Sequence, residues 1–482
     1  MVKIHGLKLN AKRITAFILS FSAIGAARPA MDFAASETAL TAFAESAYTE
    51  VVIGGALTYH VYSDHCELFE AHKGLVSCEI PSEIEDKPVT VISDRAFSGC
   101  TKLTDITLPD SLIYISSSAF KNCSALTSIV IPDSVTSIGN QAFSTCEALE
   151  NVKLSNNLTE LKSGTFYRCS SFKSVTIPDS VTVCSGEAFT NCTSLTEIIV
   201  GENNTGLCSV DGILFDKNKT TLKNYPSGIT DEEYSVPDGV EIIESGAFSY
   251  NQYLKNVNIP DSVTDIGSLA FFVCEALEGI SLPDGITEIK GNTFGACYEF
   301  GSVRIPSGVS IIDSLAFQQC NRLTSVVVPE STIEIGFESF SGCWDLSHIY
   351  ILNPDCEIYD AGDTICNSNY LSVDRYDGTI YGYSNSTAQA HAEKYGFAFK
   401  SIDNFGDVNL DGAVNALDAS LVLTEYASTS TGQQPSFNDI TSFNADVDFD
   451  LNINSLDASY ILSYYSYTAT GGEVSIIEYL AQ

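Results

Sequence analysis

Near the C-terminus, oxygen-bearing side chains recur at fixed intervals in two short stretches. The first runs Asp407, Asn409, Asp411, Gly412, Val414, Asn415, Asp418. The second begins 39 residues later as Asp446, Asp448, Asp450, Leu451, Ile453, Asn454, Asp457. In both, carboxylate or amide oxygens fall at positions 1, 3, 5, 9 and 12, with a β-branched residue at position 8. A twelve-residue loop with that spacing wraps Ca²⁺ in hard oxygen ligands. On this reading the backbone carbonyls of Ala413 and Asn452 serve at position 7 and Asn415 and Asn454 act through water. Asp418 and Asp457 then close the sphere with both oxygens. Asp and Asn also crowd ordinary turns, but two registered copies in tandem go beyond turn composition.

The elements around these loops are unlike those of an ordinary EF-hand. Position 12 is Asp rather than Glu, and no amphipathic helix enters either loop. A helix-like run follows each one instead, at 419–428 and 458–467. This loop-then-helix duplication resembles the type I dockerin family, over about residues 403 to 482. The resemblance implies a Ca²⁺-folded module that docks a secreted protein onto a cohesin of a cellulosomal scaffold. It also implies that the residues just before the closing Asp take part in cohesin recognition. Here those are Ala416 and Leu417 in one half, Ser455 and Leu456 in the other. The near-identity of the halves implies two binding orientations. The turn residue is Gly412 in the first loop but Leu451 in the second. Side chains resist positive φ, so the second site is expected to hold Ca²⁺ more weakly.

Lys and Arg total 24 against 61 Asp and Glu, a net charge of −37. That balance argues against a nucleic-acid partner, because phosphate binding needs concentrated cations. Lys3, Lys8, Lys12 and Arg13 precede an apolar stretch from Ile14 to Ala27. This is the pattern of a secretory signal peptide over 1–27, too short to span a membrane. Residues 28–49 read as a flexible lead-in.

The middle of the chain is periodic. Phe97, Phe120, Phe143, Phe166 and Phe189 stand 23 apart, as do Phe248, Phe271, Phe294, Phe317 and Phe340. A cysteine follows most of them by three residues, and a proline recurs in phase. Within one unit, Leu126, Ile129, Ile131, Val135, Ile138, Ala142, Phe143 and Cys146 give a short strand with its apolar side inward and a return through a second bend. The wording IPDSV-x-x-IG-x-x-AF-x-x-C resembles the BspA-type leucine-rich-repeat family across 78–352. The resulting expectation is a leucine-rich-repeat solenoid with one short parallel β-strand per 23-residue coil. The coils stack because none buries its apolar face alone. A small α-helical Ca-binding dockerin with two EF-hand-like loops follows at 401–482. Residues 50–77 and 353–400 read as caps. The spacing jumps between Phe189 and Phe248, and turn signals at Asp211-Gly212 and Lys217-Asn218 predict a protruding β-hairpin within an insertion over 201–236.

Fifteen cysteines in an exported chain usually suggest disulfides, yet nine sit in register with the core Phe. They read as a ladder of buried free thiols. Candidate catalytic chemistry is sparse. His60, His65, Cys66, His72 and Cys78 cluster in sequence without zinc-site spacing and read as a polar cap. No nucleophile elbow, metalloprotease helix or phosphate loop is present. The outward strand positions from Thr107 to Tyr350 are small and mostly polar, without a sugar-stacking platform.

These readings converge on a secreted, non-catalytic binding protein. A Ca²⁺-dependent dockerin anchors it to cohesin, and its repeat surface contacts protein or glycan. The alternatives are a carbohydrate-active subunit in polysaccharide catabolism and an adhesin to host or microbial proteins.

Overall fold

The computed structural model describes residues 48–367, 376–437, 442, 444–447, 452–472 and 476–481. The expected signal peptide over 1–27, and all of the expected lead-in except residues 48 and 49, lie outside them.

Each coil contributes two strands rather than one. A longer strand such as Ser128–Val130 pairs in parallel with Asn151–Lys153 of the next coil, residue for residue at a 23-residue offset. A two-residue strand such as Tyr114–Ile115 pairs likewise with Ser137–Ile138. Two narrow parallel sheets therefore run along the rod where the sequence suggested one. Between them the ladder rings stack, with Phe120 and Phe143 centroids 5.2 Å apart at 3°. Offset stacking adds to the area each ring buries. The Ile-Gly step of the repeat has a steric cause: a Cβ on Gly139 would lie 2.3 Å from the Ser117 nitrogen of the preceding coil.

All fifteen cysteines are free thiols. Those of the ladder after Cys100 donate to the carbonyl of a core Phe in the coil behind, as Cys146 Sγ does to Phe120 O at 3.2 Å. Burial pushes the Cys192 and Cys297 thiols up to about 12. They are therefore packing groups and not nucleophiles.

The ends are closed from within the chain. An antiparallel meander, Thr49–Ile53, Leu57–Val61 and Cys66–Ala71, covers the first coil and pairs with Lys87–Ile92. Its histidines serve packing: His60 is stacked between Tyr48 at 3.8 Å and Phe69 at 4.0 Å. At the far end, strand Thr379–Gly382 extends the longer-strand sheet and helix Thr387–Tyr395 follows, capped by Ser386 and by left-handed Gly396. A further strand, Ala398–Ser401, then pairs in parallel with Thr379–Gly382. Sequence reading missed this strand because it is short and largely exposed.

The predicted protruding hairpin is corrected. Leu207–Val210 and Ile213–Asp216 do pair across the Asp211-Gly212 turn. However, Leu207, Leu214 and Phe215 are buried, and the hairpin is built into the rod. It divides the solenoid's hydrophobic interior in two, with Leu214 on the N-terminal side and Phe215 on the C-terminal side. Tyr225 re-enters the ladder, stacked on Phe248 at 5.2 Å.

His391, inside the C-terminal cap, predicts a pH dependence. It is buried, and no hydrogen-bond partner reaches its Nε2 among the described residues. Burial holds its pKa down at about 4, against the opposing pull of Asp360. Free histidine titrates near 6.5, so the unfolded chain binds a proton that the folded chain refuses. Stability is full above about pH 6.5 and falls by about 3 kcal/mol on the way down to about pH 4, levelling below. Thermal melts of the chain and of His391→Leu between pH 7 and 4 should differ in that slope. Equal slopes would refute the assignment.

Candidate metal-binding and docking module

Directly after Ser401 the chain leaves the sheet and enters the first loop. Both oxygens of Asp407, which is buried, accept backbone N–H groups, Oδ1 from Asp411 at 3.1 Å and Oδ2 from Gly412 at 2.8 Å. Asn409 Oδ1 accepts from Asp411 N at 2.8 Å, and Asp411 Oδ1 from Ala413 N at 3.0 Å. Gly412 takes φ +90°, which is why a residue without Cβ stands there. Asp418 ties the loop's two ends: Oδ1 accepts from Val408 N at 2.9 Å, and Oδ2 from Asn415 N at 2.9 Å. Asn415 caps the helix Ala416–Ser430, its Oδ1 accepting from Leu417 N, while its Nδ2 donates to the Ala413 carbonyl.

The second loop repeats this wiring. Asp457 Oδ1 accepts from Val447 N and Oδ2 from Asn454 N, both at 2.8 Å. Asn454 caps helix Ser455–Ala469 and donates to the Asn452 carbonyl at 3.1 Å. Asp446 is buried at the loop entrance. Asp448, Asp450 and Leu451 lie outside the described residues. The loops are joined through Asn444, whose Nδ2 donates to Asp407 O at 2.9 Å and whose carbonyl accepts from Gly406 N.

The electrostatics of this module are one-sided. From Ser401 to Gln482 the sequence holds no lysine, arginine or histidine, and no cysteine or methionine. Asp407, Asp418, Asp446 and Asp457 are between 0 and 8% exposed. Buried carboxylates need an opposite charge, and this segment supplies none. The donor set is all oxygen, which suits a hard cation such as Ca²⁺. Among the described residues no three His, Cys, Asp or Glu side chains already converge on one point. The donors therefore lie along the loops, with their carboxylates engaged by backbone N–H groups.

The predicted recognition residues stand in the open. Ala416 and Ser455 are exposed, Leu417 is 54% exposed and Leu456 47%. The structure adds pairs that sequence reading passed over. Leu423 and Leu462, and Tyr426 and Tyr465, are also exposed apolar side chains, each mate 39 residues on. The offset already seen in the loops could have revealed them.

Beneath this face the module shares a core with the solenoid. Tyr350, Leu352 and Tyr381 of the last strands are buried with Ile402, Phe405, Val408, Val422, Ala445, Val447, Ile461 and Ile476. Tyr350 and Tyr381 stack at 4.4 Å. Tyr350, expected to face solvent, is thus covered by the module, and burial raises its phenol pKa, with Asp446 adding to the rise. The C-terminal helix Ile476–Ala481 folds back over the module's entrance: Ile476 Cδ1 lies 2.8 Å from where a Cβ on Gly406 would sit. Deleting 473–482 uncovers this core and should cost the module about 2–4 kcal/mol. The loss would be read as a lower thermal midpoint of its helices in Ca²⁺, and an unchanged midpoint would remove the clasp.

The family described as BspA type Leucine rich repeat region matches residues 66–196 and 228–347, in six copies. The chain belongs to the BspA-type leucine-rich-repeat family. The Dockerin type I domain matches residues 405–464 of this leucine-rich-repeat protein. No curated protein matches it. Among solved structures, the pneumococcal vaccine antigen PcpA shares 21% identity over 73% of this chain and 98% of its own, with a TM-score of 0.57, and so shares the fold. A leucine-rich cell surface protein from Faecalibacterium prausnitzii is 26% identical over 66% of this chain and 98% of its own, at a TM-score of 0.46. A type I dockerin binds calcium and implies cohesin-mediated assembly of the cellulosome type, while the repeats suggest protein binding. No helix among the described residues is long and apolar enough to cross a membrane.

Proposed function

We propose that this leucine-rich-repeat protein is a secreted, non-catalytic binding subunit, exported through residues 1–27 and mounted on a scaffold by residues 401–482. Calcium occupies both loops. The ligands are Asp407, Asn409, Asp411, Ala413, Asn415 and Asp418 in the first. Asp446, Asp448, Asp450, Asn452, Asn454 and Asp457 form the second, which is the weaker because Leu451 replaces the turn glycine. Folding and metal binding are coupled, since the carboxylates repel one another without the cation. The folded helices then present Ala416 and Leu417, or Ser455 and Leu456, to cohesin. One observation carries this reading: two wired acidic loops on a segment without a single basic side chain, each beneath exposed leucine and tyrosine.

The test is capture of a cohesin-bearing scaffold from the source organism's secreted fraction, in Ca²⁺ and in chelator. The chain should retain it only with Ca²⁺, and a Leu417→Glu/Leu456→Glu variant should not retain it at all. Capture indifferent to both would end the docking reading.

A further inference from the structure

The rod carries a defect, and the defect makes a cavity. Between Ile243 and the ladder ring Phe248 stand four residues, which turn the corner of the coil. In the coil behind, Leu222 pairs with Ile243, and Tyr225 N donates to Ala247 O just as Phe248 N donates to Ala270 O. Only Lys223 and Asn224 stand between Leu222 and Tyr225, so this coil's corner is two residues short. The neighbouring coils close over the gap. A Cβ on Gly186 would lie 2.7 Å from Ser245 O, and one on Gly246 3.3 Å from Glu187 Cγ. Tyr167 and Tyr250, 83 residues apart, bring their hydroxyls to 3.5 Å. The corner ridge is thereby notched, leaving a cavity of about 300 Å³.

The lining of this notch departs from the repeat. The slot after the ladder ring holds Ser98, Lys121, Ser144, Gly295, Gln318 and Ser341 away from the notch, whereas the cavity lining takes from it the rings Tyr167 and Phe272 together with Thr190 and Ser249. The next slot has positive φ in coil after coil whatever residue fills it, Gly99, Asn122, Thr145, Arg168 or Val273, and beside the notch it holds Tyr250 at φ 63°. Tyr250 meets Phe272 edge-on at 5.6 Å. Polar groups face these rings: Ser163, whose Oγ donates to Glu187 Oε2 at 2.6 Å, and Gln141, whose Oε1 accepts from Lys121 at 2.8 Å. No lysine or arginine lines the cavity.

We propose that the notch is a binding site for a neutral saccharide. A pyranose has one apolar C–H face and a rim of hydroxyls. The rings of Phe272 and Tyr250 offer the first its partner, while the Gln141 amide and the Glu187 carboxylate offer the second its acceptors and donors. The volume is at the lower end for small-ligand sites, enough for the end of a chain and not for a crystalline surface. Glu187 in the lining, on a chain of net charge −37, disfavours acidic sugars and phosphates. The site lies on the repeats and needs neither calcium nor cohesin.

Glycan-array screening of the full chain, followed by titration calorimetry with the oligosaccharides retained, tests this. Binding should be the same in Ca²⁺ and in chelator, which separates it from the docking module. Phe272→Ala should weaken it about tenfold, and so should Gln141→Leu, a change tolerated at this slot because Leu269 and Leu315 occupy it elsewhere. Phe69→Ala, an exposed ring at the N-terminal cap, should change nothing. Thermal melts confirm that each variant folds. Retention of no saccharide on the array overturns the proposal, as does binding that survives both notch substitutions. An aromatic peptide that binds the notch where no saccharide does would overturn it in favour of a peptide site.

Discussion

Stripped of calcium by a chelator, residues 403–481 are expected to lose their two long helices while the repeats stay folded. The charges dictate this. Four aspartates are almost fully buried in a segment that ends its basic residues at Lys400. An uncompensated buried carboxylate costs several kcal/mol, about the whole stability of a small domain when four are combined. No Asp or Glu among the described residues of the coils is buried, and their rings and thiols are indifferent to the metal. Hydrogen exchange read segment by segment should show fast exchange over 416–430 and 455–469 in chelator and slow exchange over the ladder. Cohesin capture should fall by about a hundredfold or more. Asp418→Ala reaches the same end in Ca²⁺, because Val408 N, Asn409 N and Asn415 N lose their shared acceptor. Its cost is about 3 kcal/mol. Helices still protected in chelator would show that the acidic loops fold without a cation.

Phe143→Ala is expected to cost about 3–5 kcal/mol and to act on one half of the rod only. Its ring stacks on Phe120 at 5.2 Å and on Phe166 at 5.5 Å, and it is wholly buried. In a solenoid each coil contacts only its neighbours, so damage travels until an interface fails to transmit it. That interface is the embedded hairpin, where the interior divides between Leu214 and Phe215. Denaturant titration with exchange readout should show coils 78–200 opening well before coils 234–352. Equal loss across both halves would mean that the rod unfolds as one unit.

The repeat and the dockerin were legible in the sequence because both are written in fixed spacings. The Phe, Cys and Pro periods place a side chain in the same niche of every coil, and the loop donors are set within twelve residues. What escaped is what long-range contact decides. Tyr225 lies one period before Phe248, but Pro226 and a shortened corner hide the Ala-Phe-x-x-Cys wording. The hairpin reads as polar turns around apolar runs, and only its neighbours show that it is inside. Tyr350 occupies an outward strand position by alternation, yet the module covers it. Strand Ala398–Ser401 carries no strong periodicity and exists because Thr379–Gly382 offers it an edge. The notch could not be read at all, since its walls, from Gln141 to Phe272, come from residues up to 131 apart.

The joint burial of Tyr350 and Tyr381 with Phe405 and Val408 has a mechanical consequence. The coils are no tethered cargo free to wander on a string; they form a boom, about 50 Å long at about 4.8 Å per coil, with its bearing in the C-terminal module. The two halves of that module carry matching exposed Leu and Tyr positions, 39 residues apart in the chain. Were each half to seat in the same socket in turn, as the likeness between them leads one to expect, the whole boom would be re-aimed with it. A single chain would then reach either side of its mount, with the choice made at the base and no hinge needed along the way.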